Sequence, residues 1–248
     1  MTKRVALVTG GNGGIGSAVC AELASQGHTV VAGYFPPEKE AAEAWQKEMQ
    51  GQGHDIDLAA MDVSSFADCE RAVGEIAEKH GSVDILVNCA GITRDGTLKK
   101  MPEENWKAVM ATNLDSAFNV TRHVLNGMLD KGWGRIVNIA SVNGQRGQFG
   151  QANYSAAKAG MHGFTMAVAL ETAAKGITVN TVSPGYISTA MTEAMPEEVL
   201  QSIINSVPMR RMGKPEEIAD TVAWLASEAN AYTTGANIPV NGGLFTSH

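Results

Sequence analysis

Short apolar runs rich in β-branched residues alternate with longer amphipathic stretches along the whole chain. Parallel strands need helical crossovers, and strands that helices cover on both faces are apolar throughout. The pattern therefore predicts a doubly wound α/β fold, with a seven-stranded parallel sheet and helices on both faces. The predicted strands span residues 4–10, 28–34, 55–63, 83–91, 133–141, 177–185 and 236–243.

No linker, repeat or low-complexity tract interrupts this alternation, which predicts a single domain over residues 1–248. Residues 101–132 and 152–176 are each predicted to form one long helix, and Pro215 lies in the first turn of the last helix. Residues 186–213 are irregular with room for a short helix, and we interpret them as a lid. Its methionines suit an adaptable apolar cover. They are Met191, Met195, Met209 and Met212.

The composition excludes several classes of partner. The net charge is −7, which disfavours binding to nucleic acid or anionic membranes, and no stretch reaches the roughly 18 apolar residues of a membrane span. The cysteines Cys20, Cys69 and Cys89 form no CxxC pair, which favours a reducing cytoplasm. The six histidines show no metal-binding spacing, so no metal site is expected.

A glycine-rich turn, TGGNGGIG at Thr9–Gly16, follows the first strand and leads into a helix over residues 15–27. Glycines let the backbone approach a pyrophosphate, and the helix start offers free N–H groups and a positive dipole end. A glycine run alone is often a plain turn, but its place between strand and helix indicates a Rossmann dinucleotide site. The spacing over Gly10, Gly14 and Gly16 is GxxxGxG rather than GxGxxG.

The end of the second strand bears on the choice between NADH and NADPH. An acid usually stands there to bind the adenine ribose of NADH, but this chain has Gly33 and Tyr34. No arginine follows to bind the 2′-phosphate of NADPH, and Lys39 is outnumbered by acidic neighbours. We therefore expect both cofactors to be accepted, with a preference for NADH. The acidic neighbours are Glu38, Glu40 and Glu43.

Tyr154 and Lys158 lie four residues apart in a predicted helix, so they share one face. Ser141 ends the fifth predicted strand, at the sheet edge where α/β folds bind ligands. Asn113 falls within the long helix of residues 101–132. Each residue also has an interpretation without catalysis. Tyr154 could be a packing residue and Lys158 a solvated surface charge. Ser141 could be a helix cap, and Asn113 an ordinary polar residue of a helix. Together with the glycine turn, they indicate a catalytic site.

In this order, the motifs resemble those of the short-chain dehydrogenase/reductase family, and the resemblance covers the whole chain. It rests on TGGNGGIG, NCAG at residues 88–91, Asn113, Ser141, YSAAK from Tyr154, and SPGYIST from Ser183. Cys89 is a departure, because the family usually has a second asparagine there, and it is expected to alter packing around the adenosine half. The cofactor contacts that the resemblance implies are Gly10, Asn12, Gly13, Gly14, Ile15, Gly16, Tyr34, Asp62, Val63, Asn88, Ala90, Gly91, Tyr154, Lys158, Pro184, Gly185 and Ile187.

The resemblance also implies that Asn113, Ser141, Tyr154 and Lys158 are catalytic. Hydride addition to a carbonyl leaves an alkoxide that must be protonated, and Tyr154 is the expected acid. A nearby ammonium favours the phenolate, so Lys158 is expected to lower the pKa of Tyr154. Ser141 is expected to polarise the carbonyl through a hydrogen bond. By resemblance, Lys158 also binds the nicotinamide ribose, and Asn113 holds a water that passes protons to Lys158.

Within the family, residues 91–95, 132–167 and 178–187 are most similar to the acetoacetyl-CoA reductases of polyhydroxyalkanoate synthesis. The similarity implies reduction of acetoacetyl-CoA to (R)-3-hydroxybutanoyl-CoA, an activity that commonly uses NADPH, by a homotetramer. The nearest alternative is a 3-oxoacyl-ACP reductase, whose glycine turn usually carries an arginine at the position of Gly13. The expected substrate contacts are Asp95, Lys100, Ser141, Gln148, Phe149, Gln151, Tyr154 and Tyr186.

A basic loop bears on the acyl-CoA expectation. Arg94, Lys99 and Lys100 are expected to attract an anionic CoA, although a solvated basic loop is an alternative. Two other function classes fit the motifs less well. A nucleotide-sensing regulator would be expected to lack the tyrosine or the lysine, and a reductase of sugars would have a different loop at residues 144–151.

Overall fold

The computed structural model describes residues 2–189, 192 and 196–246. Within them, one parallel sheet holds seven strands in the order β3-β2-β1-β4-β5-β6-β7. Each strand lies inside its predicted run, so the predicted doubly wound sheet is confirmed. The strands are β1 (Val5–Thr9), β2 (Thr29–Tyr34), β3 (Ile56–Ala60), β4 (Ile85–Asn88), β5 (Gly134–Ile139), β6 (Ile177–Pro184) and β7 (Asn237–Val240).

Helices connect successive strands and cover the sheet. Pro215 opens the last helix as predicted. The α-helices are α1 (Gly14–Ser25), α2 (Lys39–Gly51), α3 (Phe66–His80), α4 (Glu103–Met110), α5 (Ser116–Lys131), α6 (Val142–Arg146), α7 (Ala152–Thr172), α8 (Glu197–Ser206) and α9 (Pro215–Ala226). Short 3₁₀ turns occupy Pro36–Glu38, Leu98–Lys100 and Ala173–Lys175.

The two faces of the sheet carry separate cores, because successive strand residues point to opposite sides. In β1, Ala6 and Val8 pack in a cluster that includes Leu23 of α1 and Ile218 of α9. Leu7 of the same strand packs on the other face, in a cluster with residues of α3, α5 and α7. Burial on both faces explains why strands such as β1 are mostly apolar.

The long helix predicted over residues 101–132 differs in detail. It begins at Glu103, and a π-helical turn at Ala111–Asp115 separates α4 from α5. Helix α6 was not expected, because five residues that include Gly144 show no helical periodicity. The second long helix ends as α-helix at Thr172 and continues as a 3₁₀ turn.

The predicted lid, residues 186–213, is joined at its ends. Ile187 and Gly213 form a parallel bridge, in which Ser188 N donates to Gly213 O at 2.8 Å and Gly213 N donates to Tyr186 O at 2.9 Å. Helix α8 is the short helix expected within the lid. Met191 and Met195 lie outside the described residues. None of the described helices is long and apolar enough to cross a bilayer.

Candidate active site

The glycine turn lies at the carboxyl end of β1 and leads into α1, as predicted. Gly10 has φ +63°, and a Cβ on Gly16 would lie 2.1 Å from the Gly10 carbonyl oxygen, so neither position admits a side chain without distortion. Gly13 stands at the N-cap position of α1, and it has no side chain to bond the first N–H groups of the helix. A close backbone and an uncapped helix start fit a pyrophosphate.

The segment after β6 packs directly on this turn. A Cβ on Gly14 would lie 2.7 Å from Thr189 Cγ2, and one on Gly185 would lie 2.8 Å from Asn241 Cα. Pro184 ends β6, and Ile187 is held in the bridge with Gly213. The glycine turn and the segment after β6 therefore border the same cleft at the carboxyl edge of the sheet.

The end of β4 forms the floor of the cleft. Thr9 Oγ1 accepts hydrogen bonds from Cys89 N at 3.0 Å and Ala90 N at 3.1 Å. The Asn88 amide turns into the protein and donates to Asn138 Oδ1 at 2.8 Å. The role of Thr9 was not expected from the sequence. Burial raises the pKa of the Cys89 thiol to about 11, so it stays neutral at physiological pH.

The adenosine side contains the charges that bear on cofactor choice. Tyr34 is buried at the end of β2, while Glu38 is exposed and its carboxylate accepts a hydrogen bond from Asn12 Nδ2 at 3.5 Å. Lys39 lies 3.8 Å from Glu43, so its charge is paired within α2. Ile15, Asp62 and Val63 lie at the same sheet edge, in α1 and just after β3.

Asn113 lies within the π-helical turn and is fully buried. Its amide pairs with the backbone of Ile92 in both directions, donating to Ile92 O at 2.8 Å and accepting from Ile92 N at 2.7 Å. A Cβ on Gly91 would lie 3.1 Å from Asn113 Oδ1 and 3.6 Å from Lys158 Nζ. The structure therefore brings Asn113 and Lys158 together across Gly91, and the proton-relaying water between them stays a prediction.

Lys158 is only 3% exposed, and its ammonium donates to Ile139 O at 2.7 Å. Burial lowers the pKa of Lys158 to about 8, because the charged form loses hydration. Nζ lies 5.7 Å from the centroid of the Tyr154 ring, so the two residues share one face of α7. Lys158 is buried and Tyr154 is half-buried, so they do not form a solvated surface pair.

The expected lowering of the Tyr154 pKa is wrong for this structure. Burial raises that pKa above its usual value, and a hydrogen bond from Ser141 opposes the rise only in part. The Lys158 ammonium is directed at the Ile139 carbonyl, and its own pKa is depressed. The loss of phenolate hydration therefore outweighs any attraction from the lysine.

The structure shows the ordinary alternative for Ser141, a helix cap, while its hydrogen bond to a substrate carbonyl stays a prediction. Ser141 caps α6, and its Oγ accepts from Asn143 N at 3.1 Å. The same hydroxyl also reaches Tyr154. Because the cap uses only an acceptor lone pair, the hydroxyl proton stays available for another oxygen.

Asn143, which the sequence did not indicate, connects two predicted substrate contacts. Its amide donates to Gln151 Oε1 at 3.0 Å, and Gln151 Nε2 donates to Asp95 Oδ2 at 2.9 Å. Four other predicted substrate contacts are not joined to this chain of hydrogen bonds. Lys100 and Gln148 are exposed, the Phe149 side chain is 88% exposed, and Tyr186 precedes the Ile187–Gly213 bridge.

Comparisons with known proteins agree with this geometry. The sequence profile described as short chain dehydrogenase matches residues 4–200. The chain is 62% identical to the acetoacetyl-CoA reductase of Allochromatium vinosum, covering 98% of each chain. It is 52% identical to that of Cupriavidus necator, covering 98% of this chain and 99% of the relative. Identity to the 3-oxoacyl-[acyl-carrier-protein] reductase of Vibrio cholerae is 45%, covering 98% and 97%. The chain therefore belongs to the short-chain dehydrogenase family.

Proposed function

We propose that this protein reduces acetoacetyl-CoA to (R)-3-hydroxybutanoyl-CoA with a reduced nicotinamide cofactor. The observation that carries the proposal is the cluster of Ser141, Tyr154 and Lys158 at the carboxyl edge of the sheet, beside the glycine turn. Its substrate class is supported by relatives named acetoacetyl-CoA reductase at 62% and 52% identity.

In this proposal the cofactor, when bound, supplies a hydride to the carbonyl carbon. The Ser141 hydroxyl donates a hydrogen bond to the carbonyl oxygen and so polarises the bond. Tyr154 then gives its proton to the developing alkoxide. The raised pKa of Tyr154 suits this direction, because the phenol stays protonated at neutral pH. Lys158 and Asn113 support the tyrosine: the ammonium is charged below pH 8, and the amide holds the adjoining backbone.

The cofactor is proposed to lie along the cleft from the glycine turn to Lys158. Gly10, Gly14 and Gly16 provide the close backbone approach that a pyrophosphate requires. We expect both NADH and NADPH to be used, with a preference for NADH. Glu38 is exposed near Asn12, and Lys39 is paired with Glu43, so a 2′-phosphate would meet more negative than positive charge.

The carrier of the acyl group distinguishes this proposal from its main alternative. An exposed basic loop, with Arg94, Lys99 and Lys100, suits the phosphates of free CoA. A 3-oxoacyl-ACP reductase is the second candidate, because the Vibrio cholerae relative of that name is 45% identical. The higher identity to the acetoacetyl-CoA reductases favours the CoA ester.

The test compares initial rates on acetoacetyl-CoA and acetoacetyl-ACP, each with NADH and with NADPH. We expect a higher kcat/KM for the CoA ester and an (R)-3-hydroxy product on chiral analysis. A higher kcat/KM for the ACP ester would favour the second candidate. Turnover of sugars or simple ketones without turnover of either thioester would contradict both.

We further propose one cytoplasmic catalytic domain over residues 1–248, with residues 186–213 as its lid, assembled as a homotetramer. Exposed apolar side chains on neighbouring helices support assembly: Phe118 on α5 stacks on Phe66 at 5.8 Å, and Leu170 on α7 is exposed. The free thiols of the described chain suit a reducing compartment. Light scattering at micromolar concentration should give four times the chain mass, and a monomer would contradict the assembly.

A further inference from the structure

A cavity of about 320 Å³ lies beside Tyr186, one strand along the sheet from Ser141. Ser141 follows β5 and Tyr186 follows β6, and these neighbouring parallel strands end at the same edge of the sheet. The cavity therefore lies at the same edge of the sheet as the candidate active site. We call it the β6–β7 cavity, and its apolar walls are Ile187, Val207, Met209, Pro239 and Val240.

The walls are held by the C-terminal end of the predicted lid and by the turn after β7. Met209 N donates to Gly242 O at 3.1 Å, which joins the two segments. Gly242 has φ +63°, and a Cβ there would lie 2.7 Å from Val207 Cγ1. Val207 is buried, whereas Met209 is 65% exposed. The β6–β7 cavity thus has one fixed wall and one wall that tolerates substitution.

Three polar side chains that border the cavity have hydrogen-bond partners. Arg211 forms a two-bond ion pair with Glu217, at 2.7 and 2.6 Å. The Asn241 side chain donates to Phe245 O at 2.9 Å and accepts from Gly243 N at 3.0 Å. These groups therefore present no unpaired charge to an occupant. Apolar walls with a satisfied rim suit an uncharged, apolar occupant.

We propose that the β6–β7 cavity binds the alkyl end of a 3-oxoacyl thioester, so that Val207 and Met209 set the accepted acyl length. This inference rests on the proposed function. A ketone held between Ser141 and Tyr154 has two substituents, and the thioester arm must reach solvent with its carrier. The alkyl arm needs an apolar space, and Tyr186, an expected substrate contact, lines this one.

The volume exceeds what a methyl group needs. A dry apolar cavity of about 150 Å³ binds benzene, so a cavity about twice that size has room for several methylene groups. Each buried methylene improves binding by about fourfold. We therefore expect the wild-type protein to reduce 3-oxohexanoyl-CoA and 3-oxooctanoyl-CoA as well as acetoacetyl-CoA.

The experiment measures kcat/KM for the three thioesters and takes the ratio of the eight-carbon to the four-carbon substrate. Met209→Trp should fill the cavity and lower this ratio at least tenfold, and Val207→Ala should enlarge the cavity and raise it about threefold. Met209→Leu, which keeps the side chain apolar and of similar size, should leave the ratio at its wild-type value. Tyr232→Trp is the surface control, because Tyr232 is fully exposed and does not line the cavity.

The outcomes separate this inference from the proposed function. If the wild type reduces acetoacetyl-CoA but neither longer thioester, or if Met209→Trp leaves the ratio unchanged, the cavity does not bind the acyl chain and the proposed function stands. If the wild type reduces no 3-oxoacyl thioester at all, the proposed function itself fails. Since Met209 is mostly exposed, its variants should fold, and circular dichroism checks that they do.

Discussion

The two ends of the proposed cofactor cleft are built from different kinds of residue. At the reacting end, Asn113 and Lys158 are buried and bonded to backbone groups at 2.7–2.8 Å. At the adenosine end, Glu38 and Lys39 are exposed, and their contacts are 3.5 and 3.8 Å long. Polar groups at the reacting end are therefore held in place by burial, whereas those at the adenosine end are solvated.

This difference predicts how each end responds to substitution. Burial shifts pKa values and links each polar group to the stability of the fold, so changes there should be large. Charges in water are screened by solvent and salt, so changes at the adenosine end should be small and salt-dependent. Four substitutions test this contrast.

Tyr154→Phe should have the largest effect. It removes the proposed acid but keeps the ring, so kcat for acetoacetyl-CoA reduction should fall by at least about 100-fold. Affinity for NADH should change little, because the phenol is not needed to bind the dinucleotide. Steady-state kinetics and a fluorescence titration with NADH measure the two effects. Near-normal turnover would remove Tyr154 from the mechanism.

Lys158→Met should lower activity and raise stability. We expect kcat to fall at least about tenfold and NADH to bind more weakly, because the ammonium is lost. The folded pKa of Lys158 is about 8, below the 10.5 of a free lysine. Its buried charge therefore destabilises the wild type fully below pH 8, and the penalty fades as pH rises towards 10.5. At pH 7 the variant should be more stable by about 1–3 kcal/mol.

Chemical denaturation at pH 7 and pH 10 measures that gain, which should shrink at the higher pH. Lys175→Met is the matched control, because Lys175 is exposed in the 3₁₀ turn after α7. It should change neither stability nor activity appreciably. If Lys158→Met is less stable than the wild type at pH 7, the ammonium stabilises the fold instead of straining it.

The sequence was sufficient to predict the sheet. It did not predict the π-helical turn or helix α6 beside the site. The central strand runs can be recognised locally, because β1, β4, β5 and β6 are buried along their whole length. The π-helical turn was not predictable, since it coincides with Asn113 pairing with Ile92, which lies 21 residues away. Helix α6 is five residues long, too short to show a hydrophobic period.

The family motifs predicted Ser141, Tyr154 and Lys158 as catalytic, and the four-residue spacing explains why Tyr154 and Lys158 share one face of a helix. The electrostatics could not be predicted in the same way. Spacing shows that the lysine lies one turn from the tyrosine, but not that its ammonium faces the Ile139 carbonyl, or that the lysine is buried and the tyrosine half-buried. Burial decided the direction of the Tyr154 pKa, and it depends on the whole fold.

Asn143→Ala should have an intermediate effect at the reacting end. The backbone bond from residue 143 to Ser141 remains, but the side-chain bond to Gln151 is lost. Losing one hydrogen bond that orients a substrate contact should raise KM for acetoacetyl-CoA about three- to tenfold, with a smaller change in kcat. Gln50→Ala is the comparison, because Gln50 is exposed in α2 and is not an expected substrate contact. A fall in kcat with unchanged KM would assign Asn143 to the chemical step instead.

Glu38→Gln should have the smallest effect, because the carboxylate is exposed. Removing one negative charge near the expected site of a 2′-phosphate should raise the ratio of kcat/KM for NADPH to that for NADH about two- to fivefold. The gain should shrink as NaCl rises from about 0.05 to 0.5 M, since salt screens exposed charges.

Glu48→Gln, at the far end of α2, is the matched control and should leave the ratio unchanged. An equal rise in both variants would reflect net charge alone, and no rise in Glu38→Gln would show that this carboxylate does not disfavour NADPH. A wild-type kcat/KM for NADPH more than tenfold above that for NADH would overturn the expected preference itself.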